Sequence, residues 1–392
     1  MATPKTPKKD EVPKSSFAGL AEMLGKQMNK EFKDRPFDIV TNSGLDSVAN
    51  VTQWVSTGCD MLNLAISNIP HGGYPCGRIS LLYGKEQCGK SLLGGHALAS
   101  TQKLGGLAVY IDTEYAFNED FFNAIGVNTD ETTDQWIFIR NNSLESILTS
   151  IDRLIGYARS MDKNRLITIV LHRLIATHTD DEIKGDFGKQ GYNTSKSIII
   201  ANGLARLVGL IAEQNICMII TNQVRQKLNA QPFEDPFRMP GGQALPHYAS
   251  VMIKLDATTN KTLEVHGMNR IIGRGTKAKV TKNRMGPPLI TVQFDIYFAS
   301  GIDNYGSWIE YMKVFKIGKI SGSSYSYTLD GEEYKAVGKS AFSAILAKNE
   351  KLRTVIWKEI CDKFIMVYKT DSDLVINVDE VLDTAISIED EV

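Results

Sequence analysis

The 392-residue sequence has no long apolar run, no paired cysteines and almost no net charge, and each absence excludes a class of protein. No run approaches the roughly eighteen apolar residues of a membrane helix, so a soluble chain without a membrane partner is expected. Forty-four Lys and Arg stand against forty-five Asp and Glu. No global field then attracts or repels nucleic acid, and any DNA contact has to be local. Five cysteines, Cys59, Cys76, Cys88, Cys217 and Cys361, are scattered without a CxxC pair. An odd count argues against a disulfide framework, and no His/Cys cluster has the spacing of structural zinc. The first residues, MATPKTPKKDEVPK, lack the apolar segment of a signal peptide. A reducing, cytoplasmic compartment is the expectation.

What is present is an ordinary globular composition, 43% apolar and 23% charged, long enough for about two to three domains. The near-zero charge hides an asymmetry. Residues 1–35 carry eight basic and five acidic side chains, whereas residues 371–392 carry eight acidic and none basic. After a Lys/Pro/Ser-rich start, Phe17, Leu20, Leu24 and Met28 form one apolar helical stripe, which must pack on its own core or on a neighbouring subunit. From residue 78 strand-like and helix-like segments alternate: 78–84, a helix opening at Lys90, 106–112, a helix from Leu144, 166–171, a helix across 197–214, then 216–223. That order implies an α/β fold with a mostly parallel sheet covered by helices on both faces. Strands at 250–256, 276–283 and 289–298 follow without helices, which suits an antiparallel extension of the same sheet. The expected division is a basic arm with an oligomerisation helix at 1–49, a core at 50–330, and a small helical C-terminal domain with an acidic tail at 331–392.

The strand at 78–83 runs into Gly84, Lys85, Glu86, Gln87, Cys88, Gly89, Lys90 and Ser91, with Leu92 next, which is G-x-x-x-x-G-K-S between a strand and a helix. Glycines are needed where backbone wraps so closely around phosphate that a Cβ would clash. Successive N–H groups and a helix N-terminus then face anionic oxygens. In such a loop Lys90 neutralises the outer phosphates and the Ser91 hydroxyl is placed to ligate magnesium, so ATP and magnesium are the expected ligands. Cys88 is read as an inert filler of the loop. On the next strand Asp112 and Glu114 are two apart and point to one side of the sheet. Glu114 is placed to polarise a water for attack on the γ-phosphate. The alternative is two solvated carboxylates at a strand end.

GKEQCGKS followed by YIDTEYAF resembles the RecA family of recombinases, which pair this loop with a Glu two residues beyond an Asp. ITNQVRQKL (220–228), GGQALPHYAS (241–250), KVTKNRMGPP (279–288) and GIDNYG (301–306) extend the resemblance, in order, over roughly residues 50–330. The chain is similar to phage-encoded recombinases in particular, which places it in a bacterial cytoplasm or a phage-infected cell. The resemblance implies a RecA-like ATPase core, with Glu114 as general base and Gln223 as the sensor of the γ-phosphate. It makes Lys282 and Arg284 cations that reach phosphates bound by an adjacent subunit. Their spacing on a strand puts both heads on one face, roughly 7 Å apart, suited to clamping phosphoryl oxygens, while a solvated basic edge is the other reading. Phe121 falls where the family stacks an aromatic on adenine, and Phe298 looks like a second wall from across the interface; both are otherwise core aromatics.

Two segments match the family's DNA-binding loops. The first, 184–196, offers Lys184, Gly185, Lys189, Gly191 and Lys196. The second, 225–242, offers Arg225, Lys227, Arg238, Gly241 and Gly242, with Phe233 and Phe237 as wedges between stretched bases. Structural loops of mixed charge are the alternative. One departure stands out. The third strand should end in a carboxylate that orients magnesium through water, but it reads Ile169-Val170-Leu171-His172-Arg173. Imidazole beside guanidinium is a poor outer shell for that ion. Either Asp112 takes over the magnesium-water contact, or the chain binds nucleotide and hydrolyses it slowly.

The resemblance therefore implies a DNA-dependent ATPase that polymerises with ATP on single-stranded DNA, a helical homo-oligomer with nucleotide at subunit interfaces. It pairs that strand with a homologous duplex in recombination and repair, and single-strand-binding and loader proteins are expected partners. The alternatives are a hexameric DNA helicase with the same core and a hydrolysis-impaired ATP-binding filament protein.

Overall fold

A computed structural model describes residues 51–185, 192–227, 237–265 and 268–367. The strand order is β1 (Trp54–Val55), β2 (Tyr74–Pro75), β3 (Arg78–Gly84), β4 (Leu107–Asp112), β5 (Trp136–Arg140), β6 (Ile167–His172), β7 (Cys217–Gln223), β8 (Arg225–Gln226), β9 (Phe237–Arg238), β10 (Val251–Val265), β11 (Met268–Asn283), β12 (Thr291–Tyr297), β13 (Gly301–Ile302), β14 (Lys319–Ser321), β15 (Ser324–Leu329) and β16 (Glu332–Val337). The helices are α1 (Asp60–Ser67), α2 (Lys90–Lys103), α3 (Glu119–Ala124), α4 (Leu144–Met161), α5 (Asp180–Lys184), α6 (Tyr192–Glu213), α7 (Ala244–Tyr248), α8 (Asn304–Val314), α9 (Lys339–Lys348) and α10 (Glu350–Phe364).

Among the described residues the main sheet has nine strands in the order β13-β12-β11-β10-β3-β7-β6-β4-β5. Pairing is parallel from β10 through β3, β7, β6 and β4 to β5, and antiparallel from β10 to β11, β12 and β13. The expected parallel sheet with an antiparallel extension is therefore present. Alternation along β3 shows why both faces must be covered: Ile79 and Leu81 enter one buried apolar cluster and Leu82 the other. Helix starts follow local chemistry. Asn118 accepts from the Phe121 amide at the start of α3, Ser143 from the Ser146 amide at α4, and Thr179 with Glu182 forms a capping box at α5.

Several expectations need correction. Residues 136–140 form edge strand β5, which the sequence pattern does not predict. The antiparallel strands β10 and β11 are longer than expected, because their polar residues beyond Asp256 continue pairing as an exposed ribbon. Within α6, Ser195–Glu213 is long and apolar enough by composition to cross a membrane, contrary to the expectation that no segment approaches this. Here Ile200, Leu204, Leu207 and Ile211 pack on the sheet. The C-terminal piece is not purely helical, since β14, β15 and β16 form an antiparallel sheet ahead of α9 and α10. Nor does it stand apart. One compact unit begins at Gln53 and continues through the C-terminal piece, with Phe342, Leu346, Ile356 and Ile360 in the same apolar cluster as the sheet residues Leu82 and Ile253. Trp308 of α8 stacks on Trp357 of α10 at 4.8 Å, and apolar faces this extensive bury more together than apart. The basic arm, its helical stripe and the acidic tail lie outside the described residues.

Candidate functional site: a phosphate-binding loop with an imidazole at its edge

The loop 84–91 leaves the carboxyl end of central strand β3 and enters α2, the position where open α/β sheets bind ligands. Two of its glycines are obligatory. A Cβ on Gly84 would lie 2.1 Å from the Leu255 carbonyl oxygen of β10, and one on Gly89, where φ is +99°, would lie 2.7 Å from Ile296 Cδ1 of β12. Lys90 is buried, and its ammonium donates to the carbonyls of Gly84 (3.1 Å) and Lys85. Those carbonyls hold the cation under the loop, where phosphate oxygens would compete for it. Cys88 donates to the Lys85 carbonyl at 3.0 Å, and burial raises its thiol pKa, as expected of an inert filler.

Parallel pairing brings the other strand ends alongside. Asp112 and His172 are register partners between β4 and β6, and Gly84 and Gln223 between β3 and β7. Thr113 donates to the His172 carbonyl at 2.8 Å, and the Arg173 amide donates to Thr221 at 2.9 Å, so the three strand ends are cross-tied. Gln223 Nε2 donates to Glu86 Oε1 at 2.5 Å, linking the expected sensor to the loop itself. Glu114, the expected base, is paired with the Arg173 guanidinium, whose other arm lies 3.9 Å from Glu86. Arg173 adopts a left-handed φ of +53°, which aims its side chain back over this cluster.

His172 is buried, with its Nε2 3.0 Å from the Ser91 hydroxyl. Its Nδ1 is buried without a hydrogen-bond partner, 3.8 Å from Glu114 Oε2. Burial lowers its pKa, opposed by Glu114 and Asp112 and reinforced by Arg173 and Lys90. The imidazole is therefore neutral near pH 7. Asp112 is fully buried, and its two carboxylate oxygens accept from the amides of Glu114 and Phe117, each at 3.0 Å. Its oxygens thus shape the turn after β4.

The donor set can be tested against the expected ligands. Loop, helix start and Lys90 fit a polyphosphate. Magnesium fits poorly, because it wants oxygen donors, and here Ser91 faces an imidazole nitrogen, Glu114 faces a guanidinium and Asp112 is buried against two backbone amides.

The remaining expected residues divide. Lys282 donates to the carbonyls of Pro246 (2.6 Å) and His247 (3.2 Å) within its own chain, while Arg284 is exposed. Phe121 is half-buried and edge-on to Phe122, and Phe298 is 62% exposed. Leu92 is buried in α2. Of the first DNA segment, Lys184 is exposed and Gly185 half-buried, while Lys189 and Gly191 lie outside the described residues. Lys196 has its ammonium donating to the carbonyls of Ile175 (2.8 Å) and Thr177 of its own chain. In the second segment Arg225 is exposed and pairs in register with Arg238, Lys227 is half-buried, and Gly241 and Gly242 have positive φ. The Phe237 ring carries Lys85 Nζ at 4.4 Å, so the end of this segment touches the phosphate loop. Phe233 and the Arg238 side chain lie outside the described residues. Arg274 of β11 has no signal in the sequence; it donates to the Gln87 carbonyl at 3.3 Å, and only strand register reveals that proximity.

Residues 22–303 match the family model described as the RecA N-terminal domain. The chain is 33% identical over 323 residues to Protein RecA of Porphyromonas gingivalis, covering 82% of this chain and 88% of that protein. It is 35% identical over 288 residues to Protein RecA of Bacteroides thetaiotaomicron, covering 74% and 81%. With Protein RecA of Chlorobaculum tepidum it shares 30% identity over 341 residues, covering 87% and 90%.

Proposed function

Because this chain belongs to the RecA family, we propose that it is an ATP-dependent recombination protein that polymerises on single-stranded DNA and pairs it with a homologous duplex. The observation that carries this reading is the convergence of three strand ends on one phosphate loop, with Gln223 bonded to Glu86 of that loop. ATP supplies a γ-phosphate whose presence or loss is felt at these groups. Lys90 leaves its carbonyls for phosphate oxygens, and the loop amides hold the rest of the chain of phosphates. Gln223 exchanges Glu86 for the terminal phosphate. Only Val224 separates it from β8, so that exchange reports nucleotide to the segment bearing Arg225 and Lys227. Arg284, and Lys282 once released from its carbonyls, contact nucleotide held by the next subunit in a filament, and Phe298 covers the base from the same side. Lys184, Arg225 and Lys227 contact DNA phosphates.

A second feature concerns turnover. Glu114 paired with Arg173 is a weakened base for water, and Ser91 is engaged by His172. Both support a chain that binds ATP firmly and hydrolyses it slowly. Strand exchange with the full chain, in ATP and in a non-hydrolysable analogue, tests the whole reading. Pairing of homologous DNA in both conditions is expected, and unwinding without any need for homology would point to a helicase instead.

A further inference from the structure

Strand register places an arginine against the phosphate loop. Arg274 of β11 pairs with Asn260 of β10 and with Ile296 of β12. Directly opposed side chains share a face of the sheet, and so does Thr276, two residues further along β11. That face meets the loop: a Cβ on Gly89 would lie 2.7 Å from Ile296 Cδ1 and 4.0 Å from Thr276 Oγ1. Arg274 is half-buried there, with Nε donating to Asn260 Oδ1 at 3.2 Å and Nη1 to the Gln87 carbonyl at 3.3 Å. Both bonds are long, and among the described residues they use two of the five N–H groups of the guanidinium and leave three.

We propose that Arg274 is a nucleotide-binding residue of its own chain's loop, donating to the inner phosphates that ATP and ADP share. The inference rests on the nucleotide-binding reading above. A guanidinium held beside a neutral loop carbonyl gains much more from an anionic phosphoryl oxygen. The nearby carboxylate of Asp295 does not neutralise it. Asp295 is the register partner of Gly275, so it lies on the other face of the sheet, where it pairs with Lys261 and Lys339. Sheet order decides which phosphates are within reach. Gln223 ends β7 and Glu114 follows β4, both on one side of β3, whereas β11 lies on the other side with β10 between. The terminal phosphate belongs with Gln223 and Glu114, which leaves the inner phosphates to Arg274. Its Nη1 exchanges the Gln87 carbonyl for a phosphoryl oxygen while Asn260 keeps the guanidinium oriented.

The test is calorimetric titration of the full-length chain, Arg274→Ala and Arg274→Lys with ADP and with a non-hydrolysable ATP analogue, at several salt concentrations. Arg274→Ala should weaken both nucleotides at least about tenfold and to the same extent, the loss expected for a charge-assisted contact. The salt dependence of both affinities should fall in Arg274→Ala and be kept in Arg274→Lys, because only the first removes a screened charge. Unchanged affinity in Arg274→Ala overturns the proposal. So does weakening of the ATP analogue alone, which would move the contact to the terminal phosphate. Weakening with the salt dependence intact overturns it too, since Arg274 would then only prop the Gln87 carbonyl. Absence of nucleotide binding by the unsubstituted chain overturns the nucleotide reading itself, and this inference with it.

Discussion

The Ser91 hydroxyl and the His172 Nε2 lie 3.0 Å apart across the mouth of α2. One side chain at the end of β6 thus reaches the serine of the phosphate loop, and its neighbour Arg173 reaches Glu114. Two adjacent residues thereby engage the two groups on which the proposed hydrolysis would depend. Changes at His172 and Arg173 should therefore alter turnover more than nucleotide binding.

Removing the guanidinium should show it. Arg173→Ser frees Glu114 to orient water, and DNA-stimulated phosphate release should rise at least about tenfold, a fraction of what a positioned base contributes. Nucleotide affinity should change little, since Arg173 touches Glu86 and Glu114 rather than the loop amides. Unchanged turnover in the variant, with nucleotide bound, would rule out Arg173 as the restraint.

Lys184 and Lys196 sit in one expected DNA segment and should behave differently. Lys184 is exposed, so Lys184→Ala should reduce the salt dependence of single-strand binding by about 0.7 in log–log slope for each phosphate that this ammonium neutralises. Lys196 holds the carbonyls of Ile175 and Thr177. Lys196→Ala should leave the slope unchanged and lower stability by roughly 1–3 kcal/mol, the cost of leaving partly buried acceptors unpaired. Equal slopes for both variants would mean that the two lysines do not divide in this way.

Much of this is readable in the sequence because it is local. Eight consecutive residues define the phosphate loop, and strand alternation fixes which side Asp112 and Glu114 face. His172 too is visible as a departure at a fixed position after the three apolar residues Ile169, Val170 and Leu171. The choice of partner by a long polar side chain is not local. Lys196 and Arg173 find theirs through the packing of α6 and the register of β6 against β4 and β7. Edge strand β5 is five residues long, and β14 to β16 are short and largely polar, so neither gives a strong periodic signal.

The joint core of sheet and C-terminal helices makes a stability prediction. Ile356 of α10 is fully buried in the cluster that contains Leu82 and Ile253. Ile356→Ala should cost about 2–4 kcal/mol and shift a single unfolding transition seen alike by tryptophan fluorescence and by loss of nucleotide binding. If only fluorescence shifts, the C-terminal piece unfolds separately and the joint core is refuted.

Acid sensitivity follows from His96 in α2, whose ring packs against Gly58 and Gly301 and whose Nε2 is buried without a partner. Burial, with a smaller push from Lys103, lowers its pKa from 6.5 to about 4. A depressed folded-state value means that the unfolded chain takes up the proton first as pH falls. The stability is fully present above pH 6.5 and is lost as the pH falls toward 4, by up to about 3 kcal/mol. His172, lowered in the same direction, adds to the trend. His96→Leu removes the titrating group and leaves no polar atom to satisfy. Denaturant unfolding of the two proteins at about pH 7 and about pH 4.5 should show a smaller loss for the variant. Parallel losses would show that His96 does not set the acid limit, and that the carboxylates do.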